Sequence, residues 1–128
     1  MIAQFLGPLD CRQIDGTHWQ LLSGLVFMRA SGELVSAPTG FVTDFASTPQ
    51  ILWSLGMPSS GEYDAAAVIH DRMYQTHAIG FRPIQRAEAD DVFYEAMLAL
   101  GVWRSKAWLM WLGVRIGGAG PWEKVGKL

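Results

Sequence analysis

The chain has 128 residues, of which 50% are hydrophobic and 17% charged, and its formal net charge is −2. That is the size of one domain, too apolar for a disordered segment, and it lacks the basic excess that draws proteins to phosphates, so nucleic acid is not an expected partner. A chain this long buries about 65–70% of the surface its unfolded form exposes, and its single cysteine, Cys11, cannot close an internal disulfide, so the fold is expected to hold without an oxidising compartment.

The first forty-odd residues read as short strands. Residues 1–6, 17–22, 25–29, 33–35 and 40–43 are rich in β-formers, and Ser23-Gly24, Ser31-Gly32 and Pro38-Thr39-Gly40 break them apart. Turns at this spacing predict an antiparallel meander. After Asp44 the pattern changes. Ser47 or Thr48 can cap a helix with Pro49 at its first position, and Gly56 and Pro58 end that short helix over residues 50–55. A stronger helix is predicted over residues 62–77, a second over 83–100 closed by Gly101, and a third over 102–116 stopped by Gly117-Gly118. The expected fold is a single α+β domain: residues 1–45 mainly β, 46–118 mainly α with three main helices, and 119–128 a loosely held tail. The N-terminus lacks the charged start of a signal peptide. No apolar run reaches the ~18 residues that a transmembrane helix needs.

The residues that could carry chemistry lie on the first two long helices. Tyr63, Ala67, His70, Tyr74 and His77 recur at intervals of four, three, four and three and share one helical face. Asp71 stands about 100° around from His70. On the next helix Arg86, Asp90, Phe93, Tyr94 and Met97 share a face by the same rule. The short connection predicts antiparallel packing, and His70 and Asp90 lie at similar distances from the turn, so they can face each other. A buried carboxylate opposite an imidazole fixes the ring's tautomer. The other ring nitrogen is then left to take a proton from water or to bind a metal. Two plainer readings stand beside this one: a satisfied core histidine, and a local Arg86–Asp90 bridge within one helix.

Ala66-Ala67 through His70-Asp71 to Tyr74, followed by Ala89-Asp90 and Phe93, resembles the helical pair of the secreted phospholipases A2, over residues 63–98. The resemblance implies that His70 is a general base activating water, that Asp90 orients it, that Tyr74 hydrogen-bonds to that aspartate, and that Asp71 holds a calcium ion. Asp44 either shares that ion or serves as a turn residue. The chain departs from those enzymes in having no disulfide and no Gly-rich calcium loop upstream of the helix. A wider stretch, from Gly40-Phe41-Val42-Thr43-Asp44-Phe45-Ala46-Ser47-Thr48-Pro49 through His70-Asp71 to Arg86, Asp90 and Phe93, resembles a family of uncharacterised proteins common in tailed phages and prophages. This implies synthesis in a host cytoplasm and association with a virion.

His77, seven residues beyond His70, gives with His70 and the aspartates a set that could bind zinc, or it serves the helix C-terminus. His18 and Cys11 read as structural. Trp103, Trp108 and Trp111 crowd the third helix beside Arg104, Lys106 and Arg115, which suits core packing, self-association, a virion contact or a membrane surface. Taken together, these features predict a phage-encoded, metal-dependent hydrolase using calcium or zinc on a lipid ester or cell-wall bond. The rivals are a structural or accessory virion protein without catalysis, and a small inhibitor of a host protein.

Overall fold

The computed structural model describes residues 2–16, 18–43 and 64–126. Asp44, Tyr63 and the short helix expected over 50–55 lie outside the described residues. Eight strands and four helices follow one another: β1 (Gln4–Phe5), β2 (Cys11–Gln13), β3 (Trp19–Leu21), β4 (Leu25–Met28), β5 (Leu34–Ala37), β6 (Val42–Thr43), α1 (Asp64–Thr76), β7 (Ala78–Ile79), β8 (Arg82–Pro83), α2 (Arg86–Ala99), α3 (Arg104–Gly117) and α4 (Ala119–Gly126). The architecture is α+β, with an antiparallel N-terminal part and three main helices after it.

All strand pairings are antiparallel. Two hairpins are built from consecutive strands, β2–β3 and β4–β5, and each gains a third strand from elsewhere in the chain: β1 beside β4, and β6 beside β3. In the β4–β5 hairpin the period-2 alternation of a half-buried strand is plain. Phe27 lies opposite Val35 and Leu25 opposite Ala37, and all four are buried. Leu34 and Ser36, one position out of phase, face outward. Gly32 closes the turn at φ 92°, a conformation that costs glycine little.

Helix α1 packs on β4 and β5 and alongside α2, while α2 also packs on α3. Its buried stripe is Ala66, Ile69 and Met73, at three- and four-residue spacing. The histidine face lies to one side of that stripe, at the rim of the core. The α1–α2 connection contains the small β7–β8 hairpin, for which the sequence shows only breakers, Gly80 and Pro83. Residues 119–126, expected as a loose tail, instead form α4. It packs on α1 through Trp122, whose ring stacks on His77 at 3.6 Å and meets Tyr74 edge-on at 5.1 Å. A second copy of this contact's strength comes from a hydrogen bond, His77 Nε2 donating to the Trp122 carbonyl at 2.9 Å. No helix among the described residues is long and apolar enough to cross a membrane.

The β4–β5 turn is tied to the second helix by charge. Arg29 reaches Glu33 (3.0 Å), Glu88 (3.1 Å) and Glu95 (3.4 Å), and Arg82 reaches Glu33 (3.0 Å) and Glu88 (2.5 Å). Hydrogen bonds from Arg82, together with those from Arg29, hold the Glu33 and Glu88 carboxyls below their ordinary range against the opposing effect of partial burial. A carboxyl depressed on folding stabilises the fold above its unfolded pKa, and that contribution is lost as pH falls through the folded value. Thermal stability should therefore decline below about pH 4.5. Glu88→Gln should cost on the order of 1 kcal/mol at neutral pH and flatten part of that acid decline, as read by thermal melts across pH 3–7.

Candidate functional site

Helix propensity and the alternation of apolar with polar positions place Asp90 in the second turn of α2, and packing of α1, α2 and α3 then seals it: its side chain is 0% exposed. A lone buried carboxylate would be prohibitive. This one is surrounded by donors. On Oδ1, His70 Nε2 stands at 2.7 Å and the Tyr74 hydroxyl donates at 2.6 Å. On Oδ2, Arg115 Nη1 donates at 2.8 Å and Arg86 Nη1 at 3.5 Å. Burial alone would push the Asp90 carboxyl up. The hydrogen bonds from His70 and Tyr74, the nearby His70 charge and the Arg115 bond outweigh it, and the group is held below the usual carboxylate range. Burial, then the hydrogen bond and charge of Asp90, push the Tyr74 hydroxyl well above the ordinary phenol range, so it stays protonated and donates.

An ionised Asp90 can only accept. His70 Nε2 therefore carries the proton of that bond, and in the neutral imidazole the lone pair lies on Nδ1. Among the described residues Nδ1 has no partner. The His70 side chain is 14% exposed, and its ring is held between Tyr74 (4.2 Å) and Phe93 (4.6 Å). The result is an imidazole at the rim of the core, fixed in tautomer and orientation, with its basic nitrogen away from the carboxylate.

The sequence reading placed His70, Tyr74 and Asp90 at one site, and the structure brings these three side chains together. The Arg86–Asp90 bridge is present too, as the longest of the four contacts. Asp71 has a different setting: its Oδ2 accepts from Thr43 Oγ1 on β6 at 3.0 Å and from Gln75 Nε2 at 3.4 Å. Asp44, its expected companion, lies outside the described residues. Among the described residues no group of three or more His, Cys, Asp or Glu side chains could hold a metal ion. His77 is engaged with Trp122, as described above, and His18 makes a turn contact to Asp15 at 3.0 Å.

Two members of the site were missed from sequence. Arg115 sits in the last turn of an otherwise apolar face of α3, and that charge in an apolar run is the only local hint of it. Gly118 follows α3, at φ −87°. Glycine is required there for space, because a Cβ would run into the Tyr74 hydroxyl and the Val114 carbonyl, with Arg86 Nη1 at 3.1 Å. Arg86 Nη1 also donates to the Val114 and Arg115 carbonyls at 3.2 and 3.3 Å, capping the C-terminus of α3 where its dipole is negative.

Comparison with known proteins gives a family. The family model described as a protein of unknown function, DUF1353, matches residues 19–114. The chain belongs to this DUF1353 family. The match spans His70, Asp71, Tyr74, Arg86 and Asp90 and stops just before Arg115 and Gly118. A relative, the uncharacterised protein y4jT of Sinorhizobium fredii (strain NBRC 101917 / NGR234), is 37% identical over 92 residues, which is 70% of this chain and 26% of that protein. The chain thus spans about a quarter of the length of that curated relative. No solved structure matches.

Asp90→Ala would leave Arg86 and Arg115 facing a void and should cost about 3–5 kcal/mol, read by urea denaturation. Gly118→Ala should cost about 1–3 kcal/mol through overpacking, although alanine is the better helix former, and the loss should appear in the same assay.

Proposed function

We propose that this DUF1353 protein is a hydrolase in which His70 is the general base and Asp90 its positioning residue. The observation that carries the reading is the Nε2–Asp90 bond at 2.7 Å, with Nδ1 left unpartnered among the described residues on a side chain that reaches the surface. In the proposed step a water hydrogen-bonded to Nδ1 attacks an ester or amide carbonyl while Nδ1 takes its proton. The proton is then returned to the leaving oxygen or nitrogen. Tyr74 and the arginines keep Asp90 ionised and fixed, so the imidazole does not turn between the two transfers. The resemblance to phospholipases A2 favours a lipid ester as substrate, and the phage resemblance allows a cell-wall bond met during entry or lysis.

Calcium or zinc belongs to the phospholipase resemblance. Asp71, held by Thr43 and Gln75, is the described carboxylate nearest to that role in sequence, and the described residues do not by themselves complete a cation site. No step above passes through a cation.

One observation favours a second reading, a structural or accessory virion protein. Asp90 is fully hydrogen-bonded and draws α1, α2 and α3 together, which is what a buried polar network that specifies a helix arrangement does. The two readings separate on His70→Ala. As a hydrolase, the variant keeps its fold and loses about 10²–10⁴-fold in turnover of phospholipid and peptidoglycan substrates, measured by product release. If the wild-type protein hydrolyses neither substrate class, with calcium or zinc added, and the variant melts at a markedly lower temperature, the hydrolase reading fails and the structural one stands.

A further inference from the structure

Charge is unevenly distributed along this chain. Positions 104–128 hold five basic residues (Arg104, Lys106, Arg115, Lys124 and Lys127) and one acid, Glu123, whereas positions 1–103 hold five basic and eleven acidic residues. An overall charge of −2 thus conceals a +4 segment and a −6 segment, and every lysine of the chain is in the first of these. The helix that opens the basic segment, α3, has three basic residues and no acidic one.

That same helix leaves large apolar groups in solvent. Ala107, Met110, Gly113 and Val114 face the core. The opposite side presents Trp108 (50% exposed) and Ile116 (62%) two turns apart, with half-buried Leu112 between them at the four-residue spacing that shares a face. Trp103, at the N-cap, is 80% exposed, and Arg104 beside it is exposed as well. Indole rings and aliphatic groups in line, with cations at the flank, are the composition that settles into a headgroup layer: the rings enter the acyl boundary and the cations remain among the phosphates.

We propose that the outer face of α3 docks on an anionic lipid surface. Charge decides the occupant. In a symmetric dimer the same patch meets itself, so two cation-rich faces would be set against each other, whereas an anionic leaflet attracts each nearby cation. The inference goes beyond the hydrolase reading and does not depend on it, since docking requires neither His70 nor Asp90.

The test is co-sedimentation of the full chain with vesicles of phosphatidylcholine alone or mixed with phosphatidylglycerol. Binding should require the anionic lipid and fall steeply as salt rises. Arg104→Gln should weaken it about fivefold and Trp108→Ala about tenfold or more, with circular dichroism unchanged. His70→Ala should bind as wild type does, so failure of catalysis and failure of docking are read separately. Phe81→Ala removes a fully exposed ring on the β7–β8 turn, away from α3 in sequence, and should leave binding unchanged. Equal binding to neutral vesicles, or an equal loss in Phe81→Ala, overturns the proposal. So does a chain that ignores vesicles and sediments as a dimer that Trp108→Ala dissociates, which would make the face a self-association surface.

Discussion

The buried carboxylate of Asp90 is the constraint around which the helical part of the protein is organised. An ionised group removed from water must recover its lost solvation from fixed donors, and Asp90 takes them from three helices: His70 and Tyr74 on α1, Arg86 on its own helix, and Arg115 on α3. Each donor fixes one helix relative to another. The register of α1 on α2 is set by two donors one turn apart converging on a single oxygen. The rotation of α3 is set by Arg115 at its last turn. Gly118 lets the chain pass close enough for Tyr74 and Arg86 to fit beneath it.

This arrangement has consequences for chemistry. Two guanidinium groups on Oδ2 keep Asp90 charged and stationary, so it can orient His70. The same cations lie close to the imidazole's partner and offset part of the negative charge that would otherwise favour an imidazolium. Asp90 therefore acts chiefly by position, holding Nε2–H and directing Nδ1 outward. In the hydrolase reading, precise orientation of the base is the main contribution of the network. In the structural reading the same bonds contribute specificity of packing, and the exposed edge of His70 has no task.

Much of the fold could be read from local pattern. The three main helices were visible because apolar positions recur at three and four and because Gly and Pro interrupt them at each end. The strands β3 to β6 were visible from alternation and turn residues. Strand β2, Cys11–Gln13, was missed: it has one half-buried and two exposed residues, so it shows no apolar alternation. Helix α4 was missed for a related reason, since a short segment with glycine and proline has little intrinsic helicity and is held by one ring, Trp122, against α1.

The sequence by itself determined the α+β class, the helix pair, and the pairing of His70 with Asp90, because periodicity and distance from a turn are local properties that survive without coordinates. Tertiary structure alone decided how Asp90 is neutralised. Arg115 and Gly118 lie 25 and 28 positions beyond it, and no period links residues on separate helices. Which cation reaches a buried acid, and where a missing Cβ is needed, are settled by how the helices pack.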